Sequence, residues 1–207
     1  FQRGNRWGFF PGVSLGWRVS EEDFFKKLLP DMDNLKIRAS YAKVGDEGDF
    51  DAFQYLDGYT SHGSYIMGSG GVTSGMTTVG MANSWLTWYE SKIMNVGFEV
   101  SYHRGLISME FDWFRRNRSG LPATRSGSLP TVFGESMPQE NLNSDINTGF
   151  EIAIGHKNKI GEFLYDISAN FSTTRIKYDY VERAASTNMY DNWRNNTNGR
   201  YKSIRWG

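Results

Sequence analysis

Arg6-Trp7-Gly8-Phe9-Phe10-Pro11-Gly12-Val13-Ser14-Leu15-Gly16-Trp17-Arg18-Val19-Ser20-Glu21-Glu22 is the stretch that decides the fold. From Val13 to Val19 the odd positions are apolar (Val13, Leu15, Trp17, Val19) and the even ones small or polar (Ser14, Gly16, Arg18). Side chains of a strand alternate between its two faces, so this is a β-strand with one greasy face. Aromatics crowd its upstream end. Downstream, Ser20 and Asp23 have the spacing of a helix capping box, Phe24, Phe25, Leu28 and Leu29 make a short apolar stripe, and Pro30 ends it.

The same alternation recurs along the chain. Working outward, six strands are expected: Phe9 to Val19, Leu35 to Lys43, Lys92 to Tyr102, Leu106 to Phe114, Gly149 to Gly155 and Phe163 to Thr174. In each, one face is free of charge. The other carries Arg18, Lys36, Arg38, Glu99, Glu110, Asp112, Glu151 and Asp166, with the bases on the first two strands and acids on the next two. His103-Arg104-Gly105 reads as a tight hairpin turn, and His156 to Glu162 as a short polar connection. Gly45 to Ser91, Arg115 to Thr148 and the tail after Arg175 read as long loops. Short and long connections therefore alternate, which in an up-and-down sheet puts every short turn at one edge and every long loop at the other. Trp7, Phe9, Phe10, Trp85, Trp88, Tyr89, Trp113 and Phe114 fall at strand ends on the long-loop side, and Tyr102 and Tyr165 at the other, as interfacial girdles would.

Composition narrows the function classes. The 207 residues hold 23 Lys+Arg and 23 Asp+Glu. A zero net charge offers no electrostatic footprint for nucleic acid. With no cysteine, a disulfide framework, a thiolate metal site and a cysteine nucleophile are all excluded. No apolar run is long enough for a spanning helix. Mean hydropathy is −0.55, a value compatible with a membrane barrel because only every second strand residue meets lipid. The start at Phe1 and the stop in an Arg-rich stretch read as an internal segment of a longer protein.

Chemistry-bearing candidates are few. His62, His103 and His156 are far apart and outside any metalloprotease spacing. Gly68 to Gly75 lacks the Lys-Ser/Thr of a phosphate loop and reads as a loop tip. Asp46, Glu47, Asp49 and Asp51 offer hard oxygen ligands that could hold Ca²⁺, but without EF-hand spacing a solvated acidic loop is favoured. Tyr55, Tyr59, Tyr65 and Trp85 are loop aromatics able to stack on sugar rings or peptide side chains, Tyr59, Tyr65 and Trp85 being the substrate-contact candidates. No catalytic, cofactor or metal residue is assigned. Two readings of the pattern stay open: a transmembrane barrel, and a soluble or secreted antiparallel β-protein such as a glycan-binding module. A β-rich hydrolase would need acids such as Glu110 and Asp112 converging in one cleft.

Several motifs together resemble the SusC/RagA family of TonB-dependent outer-membrane transporters. They are Arg6-Trp7-Gly8 with Phe10-Pro11, Gly16-Trp17, Ser20-Glu21 with Phe24, Asn34-Leu35-Lys36-Ile37-Arg38-Ala39-Ser40-Tyr41, Leu86-Thr87-Trp88 with Glu90, Asn95-Val96-Gly97-Phe98-Glu99, Asp112-Trp113-Phe114-Arg115-Arg116 and Asn147-Thr148-Gly149-Phe150-Glu151. Gly12, Ala42 and Tyr89 depart from that pattern. The resemblance implies that residues 1–207 are a partial antiparallel up-and-down barrel domain, about six strands of a larger plugged barrel of about 22. The plug, the upstream strands and the C-terminal strands would lie outside it. It further implies import of oligosaccharides or peptides across the outer membrane of a Bacteroidetes-type bacterium. The implied partners are a SusD-like surface lipoprotein on the long-loop side, TonB through the plug, and outer-membrane lipid. No enzymatic activity and no cofactor are implied.

Overall fold

A computed structural model describes residues 1–68, 70–125, 135 and 137–203. Eight strands and two short helices follow one another: β1 (Gly12–Arg18), a 3₁₀ turn (Val19–Glu21), α1 (Asp23–Leu28), β2 (Met32–Asp46), β3 (Tyr59–Met67), β4 (Gly71–Thr78), β5 (Tyr89–Tyr102), β6 (Ile107–Thr124), β7 (Gln139–Ile160), β8 (Phe163–Tyr180) and α2 (Met189–Asn195). Six strands form one antiparallel sheet in the order β1-β2-β5-β6-β7-β8, and β3 and β4 form a separate hairpin inside the β2–β5 loop. All six expected strands exist, and the alternation of short and long connections holds.

Several boundaries differ from the sequence reading. β6 and β7 run far into the stretch expected as the Arg115–Thr148 loop, leaving only residues 125–138 to connect them. Trp113 and Phe114 are consequently mid-strand residues rather than a strand end. β2 and β5 likewise extend to Asp46 and from Tyr89, and the wide loop between them contains the unexpected β3–β4 hairpin. β7 continues through His156 to Ile160, so the connection to β8 shrinks to Gly161-Glu162, with Gly161 at φ 61°. The His103-Arg104-Gly105 turn is present, with all three residues at positive φ. The capping box is not: the 3₁₀ turn intervenes, Glu22 is the helix N-cap without a side-chain bond, and the buried Ser20 hydroxyl has no partner among the described residues.

The register aligns apolar residues in rows across the sheet. One row is Leu15–Ala39–Val96–Trp113–Phe150–Thr173 and the next Trp17–Ile37–Phe98–Phe111–Ile152–Phe171. Leu35–Val100–Met109–Ile154–Ala169 follows. Phe98 and Phe111 stack at 5.4 Å, Phe111 and Phe150 at 6.3 Å, and Phe150 and Phe171 meet at 5.9 Å. Cross-strand aromatic pairs of this kind stabilise a sheet. Among the described residues, nothing covers this face. Val13, Leu15, Trp17, Ile154, Ile167 and Phe171 are all exposed, and the buried hydrophobic residues are Val19, Phe25, Leu86 and Tyr89, outside the rows.

On β5 the band runs from Met94 to Tyr102. Eight steps at about 3.3 Å give roughly 26 Å along the strand, or about 20 Å along the normal at a tilt of roughly 40°, close to the apolar height of an outer-membrane barrel. Spanning needs only about 9–11 residues. The 18 residues of β6 and 22 of β7 overshoot it, so the sheet projects well past the band on the long-loop side.

Candidate functional site

The opposite face of the sheet carries the charges. The period-two register brings Gly16–Arg38–Gly97–Asp112–Glu151–Ser172 into one row and Arg18–Lys36–Glu99–Glu110–Ala153–Asn170 into the next. Arg38 is the hub. Its Nη1 donates to Glu99 at 3.0 Å, and its Nη2 donates to Glu110 at 2.6 Å and to Asp112. Lys36 Nζ adds a 3.4 Å contact to Glu99. Gly97 makes this possible, because a Cβ there would overlap the Asp112 carboxylate and lie 2.6 Å from the Phe111 carbonyl oxygen. The expected proximity of bases on β1 and β2 to acids on β5 and β6 is thus realised between β2, β5 and β6. Glu110 and Asp112 both close on one guanidinium on an open wall, an arrangement suited to charge pairing.

Beyond the apolar band, a second network ties the loops to the projecting strands. Arg118 grips Asp145 with both ends of its fork, Nε to Oδ1 at 2.8 Å and Nη2 to Oδ2 at 2.5 Å, and Asp145 is only 3% exposed. The amide of Asn141 accepts from the Thr87 N–H and donates to the Thr87 and Gly120 carbonyls. Gln139 pairs with Gln54, and the Gln139 carbonyl accepts from Asn83. Phe1, Phe10, Phe50, Trp88 and Tyr89 form a chain of ring contacts, and the Phe10 ring fills the space over Gly45. Beside these rings lies an open cleft of about 530 Å³ lined by Phe1, Arg6, Phe50, Phe53, Tyr55 and Trp88, among others.

The acidic loop is tied into this network. Asp46 accepts from the Gly48 N–H at 2.9 Å and from the Tyr89 hydroxyl at 2.7 Å. The Gly48 bond, then the Tyr89 bond, holds its carboxyl below the usual value. Burial, with the Asp46 bond adding to it, pushes the Tyr89 phenol up to about 12. Among the described residues, no three acidic or histidine side chains gather as metal ligands. His156 contacts the Leu106 carbonyl at 2.8 Å and the Tyr165 hydroxyl at 3.1 Å.

The three substrate-contact candidates sit apart. Tyr59 and Tyr65 are exposed on β3, with the Tyr65 ring folded over Gly75. Trp85, 86% exposed, borders a groove with Met81, Met137 and Pro138. No ring contact joins the three among the described residues. Of the Gly68–Gly75 stretch expected as a loop tip, Gly71–Gly75 instead belong to β4, Gly68 and Gly70 are turn residues, and Ser69 lies outside the described residues. The sequence reading missed α2 and the return of the chain beyond it. Asn188 caps α2 by accepting from the Asp191 N–H, three residues on, a spacing that was there to be read. The chain then returns to the sheet: Arg200 and Tyr178, and Lys202 and Ile176, are joined by backbone hydrogen bonds, and Tyr201 pairs with Lys177. Residues 181–198 are therefore a third long loop, leading into chain laid antiparallel onto β8.

Comparison with known proteins agrees with this geometry. The family model described as TonB dependent receptor-like, beta-barrel, matches residues 1–206. The TonB-dependent receptor SusC of Bacteroides thetaiotaomicron is 30% identical over 174 residues, 83% of this chain and 17% of that protein. The TonB-dependent receptor P39 of Formosa agariphila is 31% identical over 169 residues, 80% of this chain and 15% of that protein. The chain thus spans about a sixth of the length of the curated relatives it matches. In fold it is similar to the RagAB peptide importer in its closed-closed state, with TM-score 0.74 at 17% identity over 89% of this chain and 20% of that one. The open-open state gives 0.72 at 17% identity over 87% and 19%. The chain belongs to the TonB-dependent receptor-like β-barrel family, and its six-stranded sheet is outer-membrane barrel wall of the SusC/RagA type.

Proposed function

We propose that this chain is one arc of the wall of an outer-membrane transporter that imports oligosaccharides or peptides, together with three of its extracellular loops. The observation that carries the reading is the pairing of a bare apolar band free of charge with a salt-bridged polar face on one continuous sheet. A soluble glycan-binding module would bury those apolar residues between two sheets, and here they stay exposed. The polar face then lines the lumen, and the long loops face the cell exterior. The plug and the remaining strands belong to other parts of the same protein. TonB acts through that plug, and a SusD-like lipoprotein covers the long-loop side. The chain's own role is mechanical rather than enzymatic. Support for the substrate class comes from the resemblance of its motifs to the SusC/RagA transporters and from the fold shared with an importer of peptides. Tyr59, Tyr65 and Trp85 supply exposed loop rings for contact with such cargo.

The test is a deletion of the full-length gene, scored for growth on a panel of oligosaccharides and peptides as sole carbon or nitrogen source. Loss of growth on one member, restored by the gene, is the expected result. Unchanged growth across the panel, with the protein found outside the outer-membrane fraction, would refute the reading.

A further inference from the structure

The outward face is not symmetric along the membrane normal. At the long-loop rim of the apolar band, the row Tyr41–Met94–Arg115–Thr148–Arg175 is followed by Lys43–Lys92–Asn117–Ile146–Lys177. Five cations, Lys43, Lys92, Arg115, Arg175 and Lys177, therefore point to the lipid side within two rows. At the short-turn rim the corresponding row is Tyr102–Ile107–His156–Ile167, which holds no Lys or Arg. Lys43 is paired with Glu90 at 2.6 Å. Among the described residues, the other four have no carboxylate within salt-bridge distance, although Arg115 donates to Asn117 and Arg175 lies over the Tyr201 ring.

We propose that this rim binds the phosphate of an anionic lipid headgroup in the leaflet on the long-loop side. Lys43, whose charge Glu90 meets at 2.6 Å, stands directly opposite Lys92, which has no carboxylate within salt-bridge distance among the described residues. From β2 to β8 the rim crosses four strand spacings, roughly 19 Å at about 4.8 Å each, so cations on neighbouring strands lie within one Debye length of about 8 Å and can act on one headgroup. The guanidinium fork of Arg115 matches phosphate oxygens bidentately. Snorkelling alone would place long basic side chains at both rims. The lipid, rather than free phosphate, is the ligand because the cations sit directly above Val96, Trp113 and Phe150, on which the acyl chains of the same molecule would lie.

This inference rests on the wall reading, and the experiment separates the two. The full-length protein, purified in neutral detergent, is titrated with phosphatidic acid and with phosphatidylcholine of the same acyl chains, and retained lipid is counted by native mass spectrometry. At about 1 kcal/mol per basic residue near the surface, the preference for phosphatidic acid is expected to be about tenfold or more. K92Q/R115Q/R175Q/K177Q is expected to lose it. K26Q/K27Q/K157Q/K159Q, which removes four charges near the short turns, is expected to keep it. The pairs K92Q/R115Q and R175Q/K177Q, each expected to lose tenfold or more at about 1 kcal/mol per residue removed, serve if the quadruple variant does not fold. A rim variant that keeps the full preference, a short-turn variant that loses as much, or competition by millimolar inorganic phosphate would each overturn the proposal. Retention of neither lipid would instead refute the wall reading itself.

Discussion

Phe171→Arg separates a lipid-facing sheet from a water-facing one. Phe171 is 60% exposed, sits in the row Trp17–Ile37–Phe98–Phe111–Ile152–Phe171 near mid-band, and meets the Phe150 ring at 5.9 Å. If that face met water, the cost would be little more than the lost aromatic pair, about 0.5–1.5 kcal/mol. In lipid, arginine at mid-depth costs about 2–4 kcal/mol, and the lost aromatic pair about 0.5–1.5 kcal/mol more. The sum, about 3–5 kcal/mol, is a drop of roughly 10² to 5 × 10³ in the folding equilibrium and a large part of a typical total of about 5–15 kcal/mol. Ser172→Arg is the control. One residue on, it points to the polar face opposite Glu151, where a new cation gains about 0.2–1 kcal/mol. The assay is urea unfolding of the full-length protein folded into phosphatidylcholine vesicles, with outer-membrane abundance as a second readout. Equal stability of the F171R and S172R variants would refute the lipid assignment.

Three further outcomes derive from the networks. Asp145→Asn leaves the Arg118 fork facing a neutral amide, with Asp145 nearly fully buried and Arg118 about a fifth exposed. Breaking a buried pair costs about 3–5 kcal/mol, which partial exposure reduces to about 2–3. R118M/D145N should recover part of that loss, and a double-mutant cycle with no coupling would contradict the pairing. Gly97→Val forces a side chain into the Phe111 carbonyl and the Asp112 carboxylate, so the G97V protein should reach the outer membrane at several-fold lower abundance, while wild-type abundance would show that the space is not needed. The last concerns pH. The Asp46 carboxyl is lowered by its bonds from Gly48 and Tyr89, so the stabilisation it gives is fully present above its unfolded value of about 4 and is lost as pH falls through the lower folded value. Tyr89→Phe removes one of those bonds. The difference in hydrogen-exchange protection between parent and Y89F around residues 46–48 should be constant above about pH 4 and narrow below it, and a difference unchanged down to about pH 2 would count against the bond.

Legibility tracked the solvent. Leu35 to Tyr41, Met94 to Tyr102 and Ile107 to Trp113 were readable because one face meets lipid and the other water, which imposes strict alternation. Arg115-Arg116-Asn117-Arg118-Ser119 continues the same strand, but past the band both faces are polar and the period disappears from the sequence. The β3–β4 hairpin was hidden for a related reason, since its Ser, Thr and Gly content resembles a loop. The charges of the polar face were assigned correctly, yet their convergence on Arg38 depends on register. The Asn141–Thr87 clamp spans 54 positions and leaves no local trace.

The two networks divide the labour of stability. Within the band, the backbone ladder and the ring stack from Phe98 to Phe171 hold the strands, because among the described residues this part of the sheet has no covered core. Lipid contributes no hydrophobic drive between strands already immersed in it, so register there rests on hydrogen bonds and on the Arg38 cluster, where a one-residue slip of β6 would turn Glu110 and Asp112 into the bilayer. Beyond the band, water competes for every hydrogen bond, and strands as long as β7 would fray. Arg118–Asp145 and the Asn141 clamp lie there, on residues that the loops bury or tie. The projecting sheet is therefore held by polar pairs together with the ring contacts that link Phe1, Phe10, Phe50, Trp88 and Tyr89, while the aromatic side chains Tyr59, Tyr65 and Trp85 stay exposed on the loops.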